Sequence, residues 1–376
     1  MSCMSLGTID KSLITILIGC IFCFLNRLLS KCDSLLYEYP ILSNICISIS
    51  RLLAVIPYII FKIKLKQINK RPNTENSNNK LIELIYNDSR EQVKARDIWK
   101  YLLLSTIVYL AQTIFLAKAF KIKTNSWILY ILFTALFFYL IFKIKLYRHH
   151  YLSCGLIILM GLIIDLILGN LQSEIIEDPI NLVMKFLKDI LTSLYLVLAK
   201  YVMEKKYISV YGFSFYMGFF SLIILLIVVI FDYYFFKWTD YNNYFSNFDY
   251  KELLIVLGVI FTQLVINLTT LFTTKYNSSC HVFIILVFGQ LAYYIDFKDN
   301  APLVIAFLII ILFLSLIFNE IIEVNLCGLS YNTKKNISKR AENEMLFNND
   351  TFDENIEDNE NLKELNIKEG VGEEQF

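Results

Sequence analysis

Long apolar runs, separated by polar links, dominate the pattern of the chain. Ten runs reach the roughly 17 to 25 residues that a helix needs to cross about 30 Å of hydrocarbon. The predicted spans are 12–31, 41–61, 98–118, 125–143, 151–169, 182–203, 210–231, 252–274, 280–296 and 302–319. Several links are only a few residues long, so the spans that they join must run antiparallel. The pattern predicts an all-α membrane protein with ten transmembrane helices.

The high hydrophobic content of the chain also indicates a protein that lies largely in a lipid bilayer. Hydrophobic residues make up 56% of the 376 residues, whereas soluble proteins contain about 45–50%. A soluble core could not bury that much apolar surface, so the lipid bilayer is the first expected partner. The formal net charge is only +1, which gives no reason to expect a nucleic acid partner.

Charged residues in the links predict the orientation. Lys and Arg concentrate in the insert 62–97, in the link around Lys143 to Arg148 and at Lys205 and Lys206. Because cytosolic loops are rich in these residues, both termini are expected in the cytosol. The predicted organisation is a cytosolic N-terminus 1–11, five spans in 12–169, five spans in 182–319 and an acidic, disordered cytosolic tail 320–376.

Polar side chains recur on single faces of several spans. Gln263, Asn267, Thr270 and Thr274 follow i, i+4, i+7, i+11 spacing and so form one stripe. Polar stripes also occur in the first, second, third and sixth spans. Because polar groups inside a membrane usually face a bundle interior or a water-filled cavity, these stripes predict a central polar cavity. The candidate substrate-binding residues are Asn26, Arg51, Tyr109, Gln112, Tyr195, Lys200, Gln263, Asn267 and Lys275.

Each candidate also has a plainer interpretation. A single Asn or Thr in a membrane helix more often joins two helices by a hydrogen bond than it binds a ligand. A lysine such as Lys275 can extend its ammonium group to the interface, whereas Arg51 and Lys200 lie deeper in their spans. Cations combined with Tyr, Asn and Gln favour an organic anion, whose phosphate would pair with Arg or Lys and whose base or sugar would stack on Tyr.

Several short segments resemble the drug/metabolite transporter superfamily, in particular its nucleotide-sugar-transporter-like branch. The segments that carry the resemblance are Asn26–Lys31, Lys145–Leu152 leading into Gly155 and Gly161, Tyr201–Tyr211 with Gly218, and Thr274–Ser279. The resemblance covers roughly residues 12–340. It implies two inverted five-helix repeats that rock around a midplane site, and it places Lys275 near the phosphate end of the cavity.

The function that the resemblance implies is secondary transport by alternating access, with a nucleotide sugar exchanged for its nucleoside monophosphate. Golgi or endoplasmic reticulum is then the expected membrane, with the plasma membrane as an alternative. No cofactor and no catalytic role is expected, and a homodimer is left open. Two other functions stay open as well: a transporter fold reused as a receptor or scaffold, and a membrane-embedded lipid enzyme.

Adjacent His149 and His150 raise the question of a metal site. Neighbouring helical residues point about 100° apart, and no third ligand lies near them in the sequence. The sequence therefore favours anchoring at the membrane interface for this pair, and no metal ligand is predicted.

Overall fold

A computed structural model describes residues 2–32, 40–68, 95–115, 129–143, 146–167, 179–206, 208–236, 249–294 and 301–322. Ten helices lie within these ranges, and none of the described residues is in a strand. Their bounds are Ser2–Cys32 (α1), Pro40–Leu53 with Val55–Ile68 (α2), Ala95–Leu110 (α3), Tyr130–Phe142 (α4), Arg148–Ile167 (α5), Pro179–Lys205 (α6), Val210–Phe231 (α7), Tyr250–Tyr276 (α8), Val282–Tyr294 (α9) and Ala301–Phe318 (α10). The prediction of an all-α chain is confirmed.

Helix α2 is broken into two segments at Ala54. Pro57 has no backbone N–H for the carbonyl of Leu53, and its ring would clash with that carbonyl, so the helix cannot continue regularly through this turn. The Ala54 N–H bonds to the Arg51 carbonyl at 3.2 Å, and the Tyr58 N–H bonds to the Ala54 carbonyl at 3.4 Å. Arg51 therefore lies in the last turn before a proline-induced break.

Two helices widen into a π turn at their ends. Helix α3 continues as a π turn over Ala111–Phe115, and α7 does so over Asp232–Phe236. In α3 the Thr113 hydroxyl bonds to the carbonyls of Tyr109 at 3.1 Å and Leu110 at 3.3 Å. Such turns are rare and occur frequently at functional sites.

Four helices are long and apolar enough to cross a membrane. They are Ile41–Ile60, Arg148–Ile167, Val210–Phe235 and Tyr250–Tyr276. Shorter apolar helices occupy Leu13–Leu29, Tyr130–Phe142, Ser279–Leu291 and Pro302–Phe318. A multi-pass membrane protein is thereby supported by length and composition.

Apolar side chains cover much of the outer surface of the bundle, and several small polar side chains share the interior with the apolar core. Leu17, Leu140 and Leu226 are about 60% exposed on the outer surface, whereas Ser48, Ser193 and Ser214 are completely buried. Apolar side chains outside and hydroxyls inside are what a lipid solvent selects.

The helices of the two halves interleave. Helix α1 packs on α8 and α9, α2 on α7 and α8, α3 on α6 and α7, α4 on α6, and α5 on α10. Contacts between first-half and second-half helices thus build most of the bundle, and α2, α3 and α6 each pack against helices of the other half.

Some helices extend beyond the predicted apolar spans. Residues 62–68 of the insert 62–97 belong to α2. Residues 2–11 belong to α1, and 232–236 of the second insert form the π turn. Residues 69–94, 237–248 and the tail beyond 322 lie outside the described residues, as does the predicted disorder of the tail.

Candidate anion-binding site

Arg51 lies near the middle of the span Ile41–Ile60 and is 3% exposed. The close approach of α7 buries it. An added Cβ at Gly218 would meet the Ser48 carbonyl oxygen and the Leu52 nitrogen at 2.8 Å and the Arg51 Cβ at 2.9 Å. Only glycine allows α7 to pack this tightly on the turn of α2 that carries Arg51. The Ser214 hydroxyl of α7 also donates to the Arg51 carbonyl at 3.5 Å.

Two tyrosines hold the guanidinium group. The Arg51 Cζ lies 3.8 Å from the centroid of the Tyr109 ring, which is the range of a cation–π contact. Arg51 Nη2 donates to the Tyr195 hydroxyl at 3.3 Å. The two rings are themselves packed, with centroids 5.3 Å apart. These contacts join α2, α3 and α6 in one cluster.

Gln112 extends this cluster along α3. It lies three residues beyond Tyr109, in the π turn, and is 6% exposed. The π turn packs against both α2 and α6. We call Arg51, Tyr109, Gln112 and Tyr195 the Arg51 cluster.

Two polar atoms of the Arg51 cluster are buried without a hydrogen-bond partner among the described residues. They are Arg51 Nη1, a donor, and Gln112 Oε1, an acceptor. Among the same residues no carboxylate lies within ion-pair distance of Arg51. A buried, uncompensated charge costs several kcal/mol, so the cluster is chemically incomplete and suited to an anionic group that brings its own acceptor.

Two candidate amides join helices. Asn26 of α1 accepts a hydrogen bond from the Thr262 hydroxyl of α8 at 2.8 Å, and Asn267 of α8 donates to the Ser50 hydroxyl of α2 at 3.2 Å. The second contact brings the α8 stripe beside the turn that carries Arg51. Gln263 lies between them on α8 and is half-buried. The sequence pattern does not identify Ser50 and Thr262 as the partners. In the structure their hydroxyls also bond to carbonyls of their own helices.

The lysine candidates lie at one end of the bundle. Lys200 Nζ donates to the carbonyls of Thr274 at 3.0 Å, Lys275 at 3.2 Å and Asn277 at 3.0 Å, and pairs with Glu204 at 2.6 Å. A cation at the C-terminus of α8 satisfies carbonyls that have no intrahelical partner. Lys275 Nζ donates to the Ile208 carbonyl at 3.3 Å. Lys200 thus connects α6 to the end of α8, and Lys275 connects α8 to the α6–α7 link.

The candidates therefore divide into three groups. Tyr109 and Tyr195 contact the incomplete cation Arg51, and Gln112 follows Tyr109 on α3. Asn26 and Asn267 bond across helices, and Gln263 lies between their contacts on α8. Lys200 and Lys275 bind backbone carbonyls.

No family model matches the chain, and no curated protein is significantly similar to it. The geometry of the Arg51 cluster is therefore the main observation that bears on function.

Proposed function

We propose that the protein is a secondary transporter that carries a small organic anion across a membrane by alternating access. The observation that carries this proposal is the buried, unpaired Arg51 in the middle of a membrane-length helix. Ionisable residues inside membrane helices are costly, and they usually mark substrate or ion pathways. Arg51 is the best-supported substrate contact of the nine candidates.

The chemistry of the Arg51 cluster favours a carboxylate or a phosphate. A guanidinium group offers donors in a planar fork that matches both groups, and Nη1 is the arm that has no hydrogen-bond partner among the described residues. The Tyr109 and Tyr195 rings supply flat surfaces for a sugar or base, and Gln112 Oε1 can accept from a ligand hydroxyl or amine. A nucleotide sugar presents all of these groups and is the favoured cargo within this class.

The packing of the helices supports two related halves. If helix n is exchanged with helix n+5, the α1–α8 pair becomes α6–α3, α1–α9 becomes α6–α4, and α2–α8 becomes α7–α3, while α2–α7 and α5–α10 map onto themselves. All of these pairs are in contact. An inverted repeat would produce these pairs, and rocking of one half against the other is the form of alternating access that we propose.

The lysines receive a different role in this proposal. Because Lys200 and Lys275 are bound to carbonyls, they hold the end of α8 to α6 and to the α6–α7 link at one end of the bundle. We assign them to closure of that end of the bundle.

The resemblance to nucleotide-sugar transporters adds four features to the proposal. They are exchange for a nucleoside monophosphate, ten membrane spans, cytosolic termini and a Golgi or endoplasmic reticulum membrane.

The test is ligand binding by the purified full chain. We expect thermal stabilisation by a phosphorylated or carboxylated member of a panel of nucleotide sugars, nucleoside monophosphates, sugar phosphates, amino acids and lipids, because a ligand at 100 times its Kd stabilises by about 2.7 kcal/mol. Arg51→Gln should abolish the shift. The matched control is Arg148→Gln, which removes an exposed arginine and should retain it.

Transport is tested by uptake into proteoliposomes loaded with the same ligand. Exchange in the unmodified chain and none in Arg51→Gln supports the carrier. Binding without uptake would instead favour a receptor or scaffold built on a transporter fold. Stabilisation by a neutral solute or lipid alone, or binding that survives Arg51→Gln, would contradict the anion site.

A further inference from the structure

A second cluster lies where α5 begins and α10 ends. His149 Nε2 is 3.0 Å from Glu320 Oε1, and His150 Nε2 is 3.9 Å from the same oxygen. One ligand atom from each of the three residues lies within 4.8 Å of the others. His149 is 4% exposed, and the side chains of His150 and Glu320 are 16% and 19% exposed. The third group comes from a residue 171 positions away from His149, which explains why the sequence does not reveal it.

Glu320 is held in an unusual backbone conformation. Its φ is 57°, in the left-handed region. The Ile321 N–H bonds to the Leu316 carbonyl at 2.9 Å, and the Glu320 N–H bonds to the Ile317 carbonyl at 3.0 Å. These two bonds form a Schellman motif, in which the left-handed position is usually glycine. A glutamate there is strained, and such strain clusters at functional sites and ligand clamps.

Hydrogen bonding alone accounts for only part of this arrangement. The 3.0 Å contact fits an imidazole N–H that donates to the carboxylate, but 3.9 Å is too long for a hydrogen bond. Zinc bonds to imidazole nitrogen and carboxylate oxygen are about 2.0–2.2 Å long, so tetrahedral ligands of one ion stand roughly 3.4 Å apart. The two histidine–glutamate separations, 3.0 Å and 3.9 Å, lie within half an ångström of that spacing, and all three ligand atoms lie within 4.8 Å of one another.

We propose that His149, His150 and Glu320 bind one first-row divalent transition metal ion, with zinc as the favoured ion. Two imidazoles and one carboxylate form the ligand set of zinc sites that keep an open fourth position. The ion would join α5 to α10, the last helix of each half.

The walls of the site orient its rings. The Phe318 ring meets the His150 ring edge-on with centroids 5.0 Å apart, and the Tyr147 ring stacks near His149 at 6.2 Å. His150 Nδ1 accepts the Tyr147 N–H at 3.2 Å. Coordination through Nε2 moves the ring proton to Nδ1, so this hydrogen bond must be given up. One neutral hydrogen bond is weak compared with a zinc–ligand bond.

The experiment is a Zn²⁺ titration of the purified full chain, with its purification tag removed and with a chromogenic chelator as competitor. We expect one ion whose affinity falls at least about tenfold in Glu320→Gln, a change that keeps the shape of the side chain but removes its charge. His149→Gln should have the same effect. The control is His281→Gln, because His281 bonds to Ser278 within its own turn and should not affect the ion.

Thermal unfolding provides a second measurement. Zn²⁺ should raise the Tm of the unmodified chain and of His281→Gln, but not that of Glu320→Gln. Glu320 is partly exposed, so its variant tests the proposal even if His149→Gln fails to fold. Absence of tight Zn²⁺ binding in the unmodified chain would overturn the proposal. So would equal affinity in all variants, because the ion would then be bound elsewhere, for example by the cysteines.

Discussion

Arg51 and Lys200 are both cations buried in the bundle, at 3% and 6% exposure, but their surroundings differ. Lys200 has three carbonyl acceptors and a carboxylate. Arg51 has two tyrosine rings, one hydroxyl and an Nη1 without a partner. Burial alone therefore does not identify a ligand-binding cation. We expect a ligand to bind a buried cation whose donors are unsatisfied. A buried cation whose donors are satisfied by protein groups instead joins two helices.

The largest expected effect is on ligand binding in Arg51→Gln. Affinity should fall at least about thirtyfold, because removal of one member of a buried charge pair costs roughly 2 kcal/mol or more. The free energy of unfolding without ligand should be unchanged or higher, by up to about 4 kcal/mol, since an unpaired buried charge is removed. Ligand titration and thermal unfolding measure the two quantities. A lower Tm would mean that Arg51 is structural, like Lys200.

Lys200→Met should show the opposite behaviour. The free energy of unfolding should fall by about 2–3 kcal/mol, because several helix-end carbonyls and Glu204 lose a charged partner. Ligand affinity of the folded protein should not change. Lys205→Met is the control, since Lys205 is exposed at the end of the same helix and its loss should leave the Tm unaltered. Loss of binding with normal stability would place Lys200 in the substrate site.

Gly218→Ala tests the packing that buries Arg51. The new Cβ would lie 2.8 Å from two backbone atoms of α2, so α7 must move and the free energy of unfolding should fall by about 1–3 kcal/mol. Affinity should fall with it as Arg51 shifts. In contrast, Gly155→Ala meets nothing within 4 Å and should stabilise α5 by about 0.5–1 kcal/mol. Similar Tm values for the two variants would contradict the close α2–α7 contact.

The smallest effect distinguishes the two tyrosines. Tyr195→Phe removes the hydroxyl that accepts from Arg51 and should weaken ligand binding by about 1 kcal/mol, roughly fivefold. Tyr109→Phe keeps the ring face under the guanidinium group and should bind ligand normally. Equal losses in the two variants would show that ligand contacts the Tyr109 hydroxyl directly.

Sequence alone could predict the elements and part of the site. Arg51 stands out because a cation near the centre of an apolar run is visible without a fold, and the helical spacing places Tyr109 and Gln112 on one face of the third span. The role of Lys200 could not be predicted, because its acceptors are carbonyls of a helix more than 70 residues away. Every residue has a backbone carbonyl, so the sequence does not show which carbonyls accept a hydrogen bond from a lysine. Glu320 was missed for the related reason that its partners are distant and its left-handed conformation is normally a glycine position.

The break in α2 at Ala54 gives the bundle a pivot beside the Arg51 cluster. The segment Pro40–Leu53 is clamped by Gly218, whereas Val55–Ile68 begins after a turn with one missing backbone bond. A tilt of the second segment would change the packing next to Arg51 while the guanidinium group stayed in place. If the protein is a carrier, the second segment of α2 can then move while the anion-binding arginine keeps its position.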